Sequence, residues 1–182
     1  MASTEQGTWP SLQSLIREVP GFPKPGVLFR DITPLLRDPA GLSLAMEMLA
    51  QPFRGMHVDV VAGAESRGFI FGTAVARNLS AGFVPIRKPG RLPCATYSED
   101  YELEYGADRL EIHRDAIKQG DRVLLVDDLL ATGGTMAACM CLVESAGGEI
   151  IGSAFLIELA FLNGRRRLKR YPVHSVLTYH QE

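Results

Sequence analysis

The chain has 182 residues, 46% of them hydrophobic, so it can bury a core and neither disorder nor a disulfide scaffold is expected. Its 19 lysines and arginines and 21 aspartates and glutamates give a net charge of −2. Nucleic-acid-binding proteins are usually basic, so the charge argues against that function. If the protein binds phosphate groups, it must do so through cations clustered at the binding site, because its net charge is not positive. No stretch approaches the roughly 20 apolar residues of a membrane span.

The cysteines and the first residues predict a cytoplasmic protein. Cys94, Cys139 and Cys141 are odd in number and lack paired spacing, and the four histidines are scattered. Reduced, unligated thiols are therefore expected in place of a zinc site. The first seven residues are polar and lack the apolar segment of a secretory signal. We expect no membrane and no nucleic acid among its partners.

The N-terminal part is predicted to contain two helices separated by irregular chain. Apolar residues at i, i+3, i+4 and i+7 indicate a short amphipathic helix through Leu12, Leu15, Ile16 and Val19. Pro20 ends this helix, and Pro20 to Gly26 is typical of an extended, turn-rich segment. The chain is predicted to stay irregular from Thr33 to Pro39, before a helix over 40–51.

From residue 58 onward, short apolar strands alternate with helices. Strands are predicted at 58–62, 83–86, 110–113, 123–126 and 150–159, and helices at 68–79 and 135–146. This alternation predicts an α/β fold with a parallel twisted sheet and helices on both faces. Ligands bind such sheets at the carboxyl ends of the strands, so the residues that follow each strand are the candidates for chemistry.

The most informative segment follows the strand at 123–126. Two carboxylates, Asp127 and Asp128, precede a short loop and a helix; the loop residues are Ala131, Thr132, Gly133, Gly134 and Thr135. The glycines let successive backbone N–H groups point into one concavity, and the helix N-terminus adds its positive dipole end. The segment therefore predicts a site for a phosphate monoester. It is neither a Walker motif nor a dinucleotide fingerprint.

The two carboxylates would repel a phosphate, but they suit the vicinal hydroxyls of a ribose, which can donate hydrogen bonds to them. In strand geometry Asp127 and Asp128 point to opposite sides, which leaves open whether both touch the sugar. A helix N-cap flanked by solvated acids is the alternative interpretation of this segment.

This segment resembles the phosphoribosyl pyrophosphate signature of type I phosphoribosyltransferases. The resemblance implies their fold, with a small N-terminal hood, and it identifies the sugar-phosphate donor but not the acceptor base. It also implies a homodimer and Mg²⁺ as cofactor. The metal would bridge pyrophosphate and ribose hydroxyls, held mainly by substrate with no dedicated protein ligand.

Gly26 to Thr33 resembles the hood of adenine phosphoribosyltransferases, which recognises the base. By that resemblance Phe29 stacks on the purine and the main chain around Leu28 and Arg30 reads its edge. A peptide suits adenine because it offers both a donor and an acceptor. Leu159, at the end of the last predicted strand, would lie against the base.

Gly63 to Phe69 resembles the pyrophosphate loop of the same family, in which Glu65, Ser66 and Arg67 would meet the leaving group. The resemblance implies a non-proline cis peptide between Glu65 and Ser66. Many relatives carry aspartate in place of this glutamate, so the role of its carboxylate stays open.

Three further cations, Arg87, Lys88 and Arg91, follow the strand at 83–86 and suit a pyrophosphate. One of them could act from a partner subunit. Solvated surface charge is the alternative.

Residues 93–106 show little core pattern and are predicted to form a lid. Here the resemblance places Glu104 near the purine and Tyr105 over the donor. Glu104 could exchange a proton at N7 of the base or only order the lid, and the sequence leaves both roles open.

The resemblance covers residues 22–168 and implies formation of AMP and pyrophosphate from adenine and phosphoribosyl pyrophosphate. The implied catalytic residues are Glu104, Arg67, Asp127 and Asp128. We divide the chain into an N-terminal helix and hood at 1–35 and a core at 36–182. The alternatives are an enzyme for another base and a donor-sensing regulator that binds DNA. The one basic run, at 165–170, is interpreted as a solvated helix.

Overall fold

The structure is a computed structural model that describes residues 11–103 and 106–181. Five parallel strands form the central sheet: β3 (Val60–Ala64), β4 (Gly82–Ile86), β7 (Arg122–Leu130), β8 (Glu149–Leu159) and β9 (Val173–Tyr179). Their spatial order is β4-β3-β7-β8-β9. The strand order reverses between β3 and β7, and in open α/β sheets ligands bind at such a switch point. The predicted fold class is confirmed.

Helices cover both faces of the sheet. They are α1 (Thr33–Arg37), α2 (Pro39–Ala50), α3 (Arg67–Leu79) and α4 (Gly134–Ser145). One core lies among α2, α3 and the sheet, and Phe71 and Val75 of α3 are fully buried there. The other core lies under α4, where Cys139 and Val143 are fully buried. Burial of each large apolar side chain contributes about 1.5–3 kcal/mol.

Two antiparallel hairpins stand apart from the central sheet. The first pairs β1 (Arg17–Pro20) with β2 (Leu28–Asp31), and the second pairs β5 (Thr96–Leu103) with β6 (Gly106–His113). Short 3-10 turns occur at Leu12–Leu15, Gln51–Phe53, Ala160–Leu162 and Gly164–Leu168. None of the helices in the described part of the chain has the length and apolarity that a bilayer span requires.

Several local predictions are wrong. The helix predicted through Val19 is a 3-10 turn that ends at Leu15, because the chain then pairs with β2 as a strand. The stretch after Ile32 is helical, with Pro34 in the first turn of α1, where the missing N–H costs nothing. The segment at 93–106, which is predicted to form a lid, contains strand β5 from Thr96 to Leu103, and its role as a lid stays a prediction. Strand β9 was not predicted.

Candidate functional site

A cavity of about 410 Å³ opens at the switch point, between the carboxyl ends of β3 and β7. Its walls come from four segments that are distant in sequence: the loop after β3, the loop from β7 into α4, the end of β4, and the hairpin β5–β6. The lining is mostly polar and charged. This is the position in which a parallel sheet places its ligand.

The loop between β7 and α4 forms one wall. Gly133 has a φ of +82°, a conformation that side chains with a Cβ rarely adopt, and it precedes the first residue of the 12-residue helix α4. The first N–H groups of a helix have no partner within the helix, so they are available to an anion. Thr132 and Thr135 also line the cavity.

Asp127 and Asp128 lie in the cavity because β7 continues through both of them to Leu130. Asp128 is 5% exposed, and Arg67 Nε lies 3.0 Å from its Oδ2. Its backbone N–H donates to Asp127 Oδ1 at 2.9 Å. Asp128 thus links Asp127 to Arg67, the first residue of α3.

Burial raises the pKa of Asp127 well above its ordinary value, and the neighbouring Asp128 raises it further. Burial also raises the pKa of Asp128, although the charge of Arg67 opposes that effect. The site therefore disfavours two full negative charges side by side. A ligand that donates hydrogen bonds, or a cation, would relieve this.

The loop after β3 forms the opposite wall. The Glu65–Ser66 peptide is cis, as predicted. Arg87 donates to the Glu65 carboxylate from Nε at 3.2 Å and from Nη2 at 3.1 Å, and the backbone N–H of Lys88 donates to it at 3.1 Å. These hydrogen bonds, those of Arg87 first, lower the pKa of Glu65. The carboxylate thereby ties the loop to the end of β4.

Hairpin β5–β6 contributes two polar side chains to the cavity. Tyr101 and Asp108 are paired in register, and the tyrosine hydroxyl donates to Asp108 Oδ2 at 3.1 Å. The ammonium of Lys88 makes an ion pair with the same carboxylate, which lowers the pKa of Asp108. A negative charge therefore stands beside the cation predicted to meet pyrophosphate.

The hood lies next to this cavity. The ring of Phe29 packs edge-on against the ring of Phe22, with 5.1 Å between their centroids. The guanidinium of Arg67 lies 5.9 Å from the centroid of the Phe29 ring. The buried side chain of Arg30 lies 4.3 Å from the centroid of the Tyr179 ring and pairs with Glu18. The side chain of Arg30 is therefore engaged within the protein.

Comparison with known proteins gives the family. Residues 31–180 match the model of the phosphoribosyl transferase domain. The chain is 59% identical over 168 residues to an adenine phosphoribosyltransferase of Rhodopirellula baltica, covering 92% of this chain and 82% of the relative. The chain belongs to the adenine phosphoribosyltransferase family. The predicted resemblance and the classification as a pentosyltransferase are therefore confirmed.

Solved structures of the family agree with this fold. The adenine phosphoribosyltransferase of Thermoanaerobacter pseudethanolicus matches with a TM-score of 0.90 at 51% identity, over 92% of this chain and 98% of that one. The Saccharomyces cerevisiae enzyme, solved with adenine and an imino-altritol bisphosphate, matches with a TM-score of 0.87 at 40% identity, over 91% and 96% of the two chains.

Most of the predicted donor-site residues line the cavity together. They are Glu65, Ser66, Arg67, Lys88, Asp127, Asp128, Ala131, Thr132, Gly133, Gly134 and Thr135. Arg87 and Arg91 do not line it; the guanidinium of Arg87 is bound to Glu65 and donates to the Arg91 carbonyl at 3.1 Å.

The predicted base-site residues stand outside the cavity lining. Leu28, Phe29 and Arg30 are in β2, and Leu159 ends β8, where it pairs in register with Tyr179. Glu104 and Tyr105 lie outside the described residues, so their roles stay predictions.

Sequence reasoning missed Tyr101 and Asp108. The alternation of a two-stranded hairpin is a weak signal when one face is charged, and the pairing register that unites them cannot be read from either strand alone. The basic residues of the run at 165–170 are exposed, as the interpretation of a solvated helix predicts, but Arg165 also has a buried partner that the sequence did not indicate. Its guanidinium binds the buried carboxylate of Glu158 at 2.8 Å and 2.6 Å, within a 3-10 turn.

Proposed function

We propose that this chain transfers the 5-phosphoribosyl group of phosphoribosyl pyrophosphate to N9 of adenine, giving AMP and pyrophosphate in purine salvage. The observation that carries the proposal is the cavity at the switch point. A glycine-rich loop at a helix N-terminus, a largely buried acidic pair and the loop that carries Arg67 all line this one cavity. Donor and base held side by side would turn a bimolecular encounter into a positioned one.

The donor would lie along the cavity. The backbone N–H groups and hydroxyls of Ala131 to Thr135 would receive the 5-phosphate, as helix N-termini do for anions. Asp127 and Asp128 would accept hydrogen bonds from the ribose hydroxyls. The loop from Glu65 to Arg67 and the ammonium of Lys88 would face pyrophosphate. We propose that Arg87 and Arg91 act at the rim, one of them in the partner's site of a homodimer.

Mg²⁺ is proposed as the cofactor. No group of three or more metal-ligating side chains occurs within residues 11–103 and 106–181. The ion would be held mainly by the substrate, because Mg²⁺ dehydrates reluctantly and commonly binds at substrate phosphates without a dedicated protein cage. When bound, the ion would neutralise charge on the departing pyrophosphate.

Adenine would bind between the hood and β8. Phe29 would stack on the purine, Leu159 would pack on its other side, and the main chain at Leu28 and Arg30 would read its edge. The occupied side chain of Arg30 supports a main-chain role. The adenine-bound structure of the yeast relative supports the same base.

Positive charge develops on the ribose as pyrophosphate leaves, and the carboxylates of Asp127 and Asp128 would stabilise it. Arg67 and Lys88 would stabilise the opposite charge on the leaving group. We propose that Glu104 exchanges a proton at N7 while N9 attacks, and that Tyr105 covers the donor.

We also propose that residues 1–35 form a hood on a core of residues 36–182, and that the protein is cytoplasmic. The described cysteines are all unpaired thiols, which suits a reducing compartment.

A base panel tests the proposed function. With phosphoribosyl pyrophosphate and Mg²⁺ present, kcat/KM for adenine should exceed that for hypoxanthine or guanine by at least about a hundredfold, since mispaired polar groups of the base cost roughly 3 kcal/mol. Equal use of guanine would contradict the adenine assignment and leave the donor assignment standing. No transfer to any base would contradict both.

A further inference from the structure

The turn at 160–168, between β8 and β9, packs directly behind residues 131–135, the proposed phosphate loop. A methyl group on the buried Gly164 would overlap the Ala131 carbonyl oxygen and would lie 2.9 Å from the Gly133 nitrogen. In the reverse direction, a Cβ on Gly133 would lie 2.6 Å from the Gly164 carbonyl oxygen. Backbone therefore touches backbone, and the loop cannot move toward the turn.

One ion pair fixes this turn to the sheet. Arg165 donates from Nε to Glu158 Oε1 at 2.8 Å and from Nη2 to Oε2 at 2.6 Å. Its Nη1 also donates to the Val173 carbonyl at 2.8 Å, and Ser175 Oγ donates to Glu158 Oε2 at 2.7 Å. Glu158 is 5% exposed. The guanidinium thus joins the turn to β8 and β9 through a bidentate contact with a buried carboxylate, although the arginine side chain itself is half exposed.

We propose that Arg165 and Glu158 are positioning residues for the reaction. They hold Gly164 against Ala131 to Gly133 and thereby fix the loop in the conformation that receives the 5-phosphate of the donor and of AMP. The inference rests on the proposed function of that loop.

The position of Arg165 separates it from the rest of the basic run. It directly follows Gly164, so the ion pair acts one residue from the contact with the loop. Arg166 and Arg167 make no ion pair within the described part of the chain, and both are exposed. Arg166 therefore offers a matched control with the same side chain.

The experiment compares Arg165→Met with Arg166→Met. Calorimetry measures the affinity for AMP and for ribose 5-phosphate, and steady-state kinetics measure KM for adenine and for the donor. Arg165→Met should weaken both phosphate ligands by about tenfold or more, since a displaced loop loses hydrogen bonds to a charged phosphate that contribute about 1.5–3 kcal/mol each, which is roughly tenfold or more in affinity. KM for adenine should stay within about twofold of the wild-type value, because the substitution does not move the residues proposed to contact the base. Arg166→Met should resemble the wild type.

A second variant disturbs the contact of Gly164 with the loop while the ion pair between Arg165 and Glu158 stays intact. Gly164→Ala should also weaken AMP and ribose 5-phosphate. The double variant Gly164→Ala, Arg165→Met should lose little more than Gly164→Ala alone, because both substitutions act on one contact. Should Arg165→Met fail to fold, the pair Glu158→Gln, Arg165→Met replaces it, since it leaves no unpaired buried carboxylate.

The proposal is overturned if a folded Arg165→Met chain binds both phosphate ligands within twofold of the wild type. It is also overturned if adenine and phosphate ligands weaken equally, since Glu158 adjoins the proposed base contact Leu159 and the pair would then support the base wall. A wild-type chain that binds neither phosphate ligand would overturn the proposed function itself, and this inference with it.

Discussion

The phosphate loop and the hood are held in place by different means. The loop belongs to the central crossover from β7 to α4, and close backbone contacts at Gly133 and Gly164 fix it. The hood is a separate two-stranded sheet that side chains attach to the core, through the contacts of Phe29 with Arg67 and of Arg30 with Tyr179. We therefore propose that the core recognises the donor and that the attached hood recognises the base. Substitutions in one part should change the binding of its own ligand and leave the binding of the other ligand unchanged.

The largest effect is expected from Gly133→Val in the loop. Valine is strained at a φ of +82°, and its Cβ would lie 2.6 Å from the Gly164 carbonyl oxygen, so the loop must change shape. AMP affinity, measured by calorimetry on folded protein, should fall by about a hundredfold or more, because several hydrogen bonds to the charged phosphate, each about 1.5–3 kcal/mol, are lost together. Gly120→Val is the control, because Gly120 has a φ of +84° with nothing within 4 Å. Unchanged AMP affinity in Gly133→Val would show that the loop is not the phosphate site.

Glu104→Gln tests the proposed proton transfer on the base side. Glutamine cannot exchange a proton at N7, so the single-turnover rate at saturating adenine and donor should fall by roughly a hundredfold. An exposed carboxylate outside the site, Asp115, provides the control variant Asp115→Asn. If the chemical step stays within threefold of the wild type and only apparent affinity changes, Glu104 orders the lid and is not catalytic.

Glu65→Gln should produce a smaller effect, on stability. The hydrogen bonds from Arg87 and Lys88 to this half-buried carboxylate are charge-assisted, and their weakening should lower the free energy of unfolding by about 1–3 kcal/mol at neutral pH. Urea unfolding measures it. Glu47→Gln, which alters an exposed pair with Arg54, should cost no more than about 1 kcal/mol.

The Glu65 effect also has a defined pH dependence. Its pKa is lowered in the folded chain, so its contribution is fully present above the ordinary value of 4.5 and is lost as pH falls through the lower, folded value. The stability difference between wild type and Glu65→Gln should therefore close on acidification below pH 4.5. A difference that stays constant down to full acid unfolding would contradict the assigned hydrogen bonds.

The core half of the site could be predicted from sequence because its parts are contiguous. The strand, the acids, the glycine loop and the helix run without interruption from Arg122 to Ser145, and the buried strands carry continuous apolar patterns. The rest depends on contacts between distant segments. Neither the register of Tyr101 with Asp108 nor the contact of Gly164 with Ala131 leaves a local pattern, and β9 has no fully buried residue. The segment through Val19 has the apolar spacing of a helix, but only Val19 of its four apolar residues lies in β1, and the pairing of β1 with β2 is a contact between separate segments.

The most direct test of the two-part site is a pair of titrations on Phe29→Ala. The ring is half-buried in the attached hood, so its removal should leave the fold and the phosphate loop intact. We predict that KM for adenine rises by roughly tenfold, since base stacking on an aromatic ring contributes about 1–3 kcal/mol. Affinity for ribose 5-phosphate should stay within threefold of the wild type. An equal loss of adenine and ribose 5-phosphate binding would contradict the account, because it would mean that the hood and the loop form a single unit.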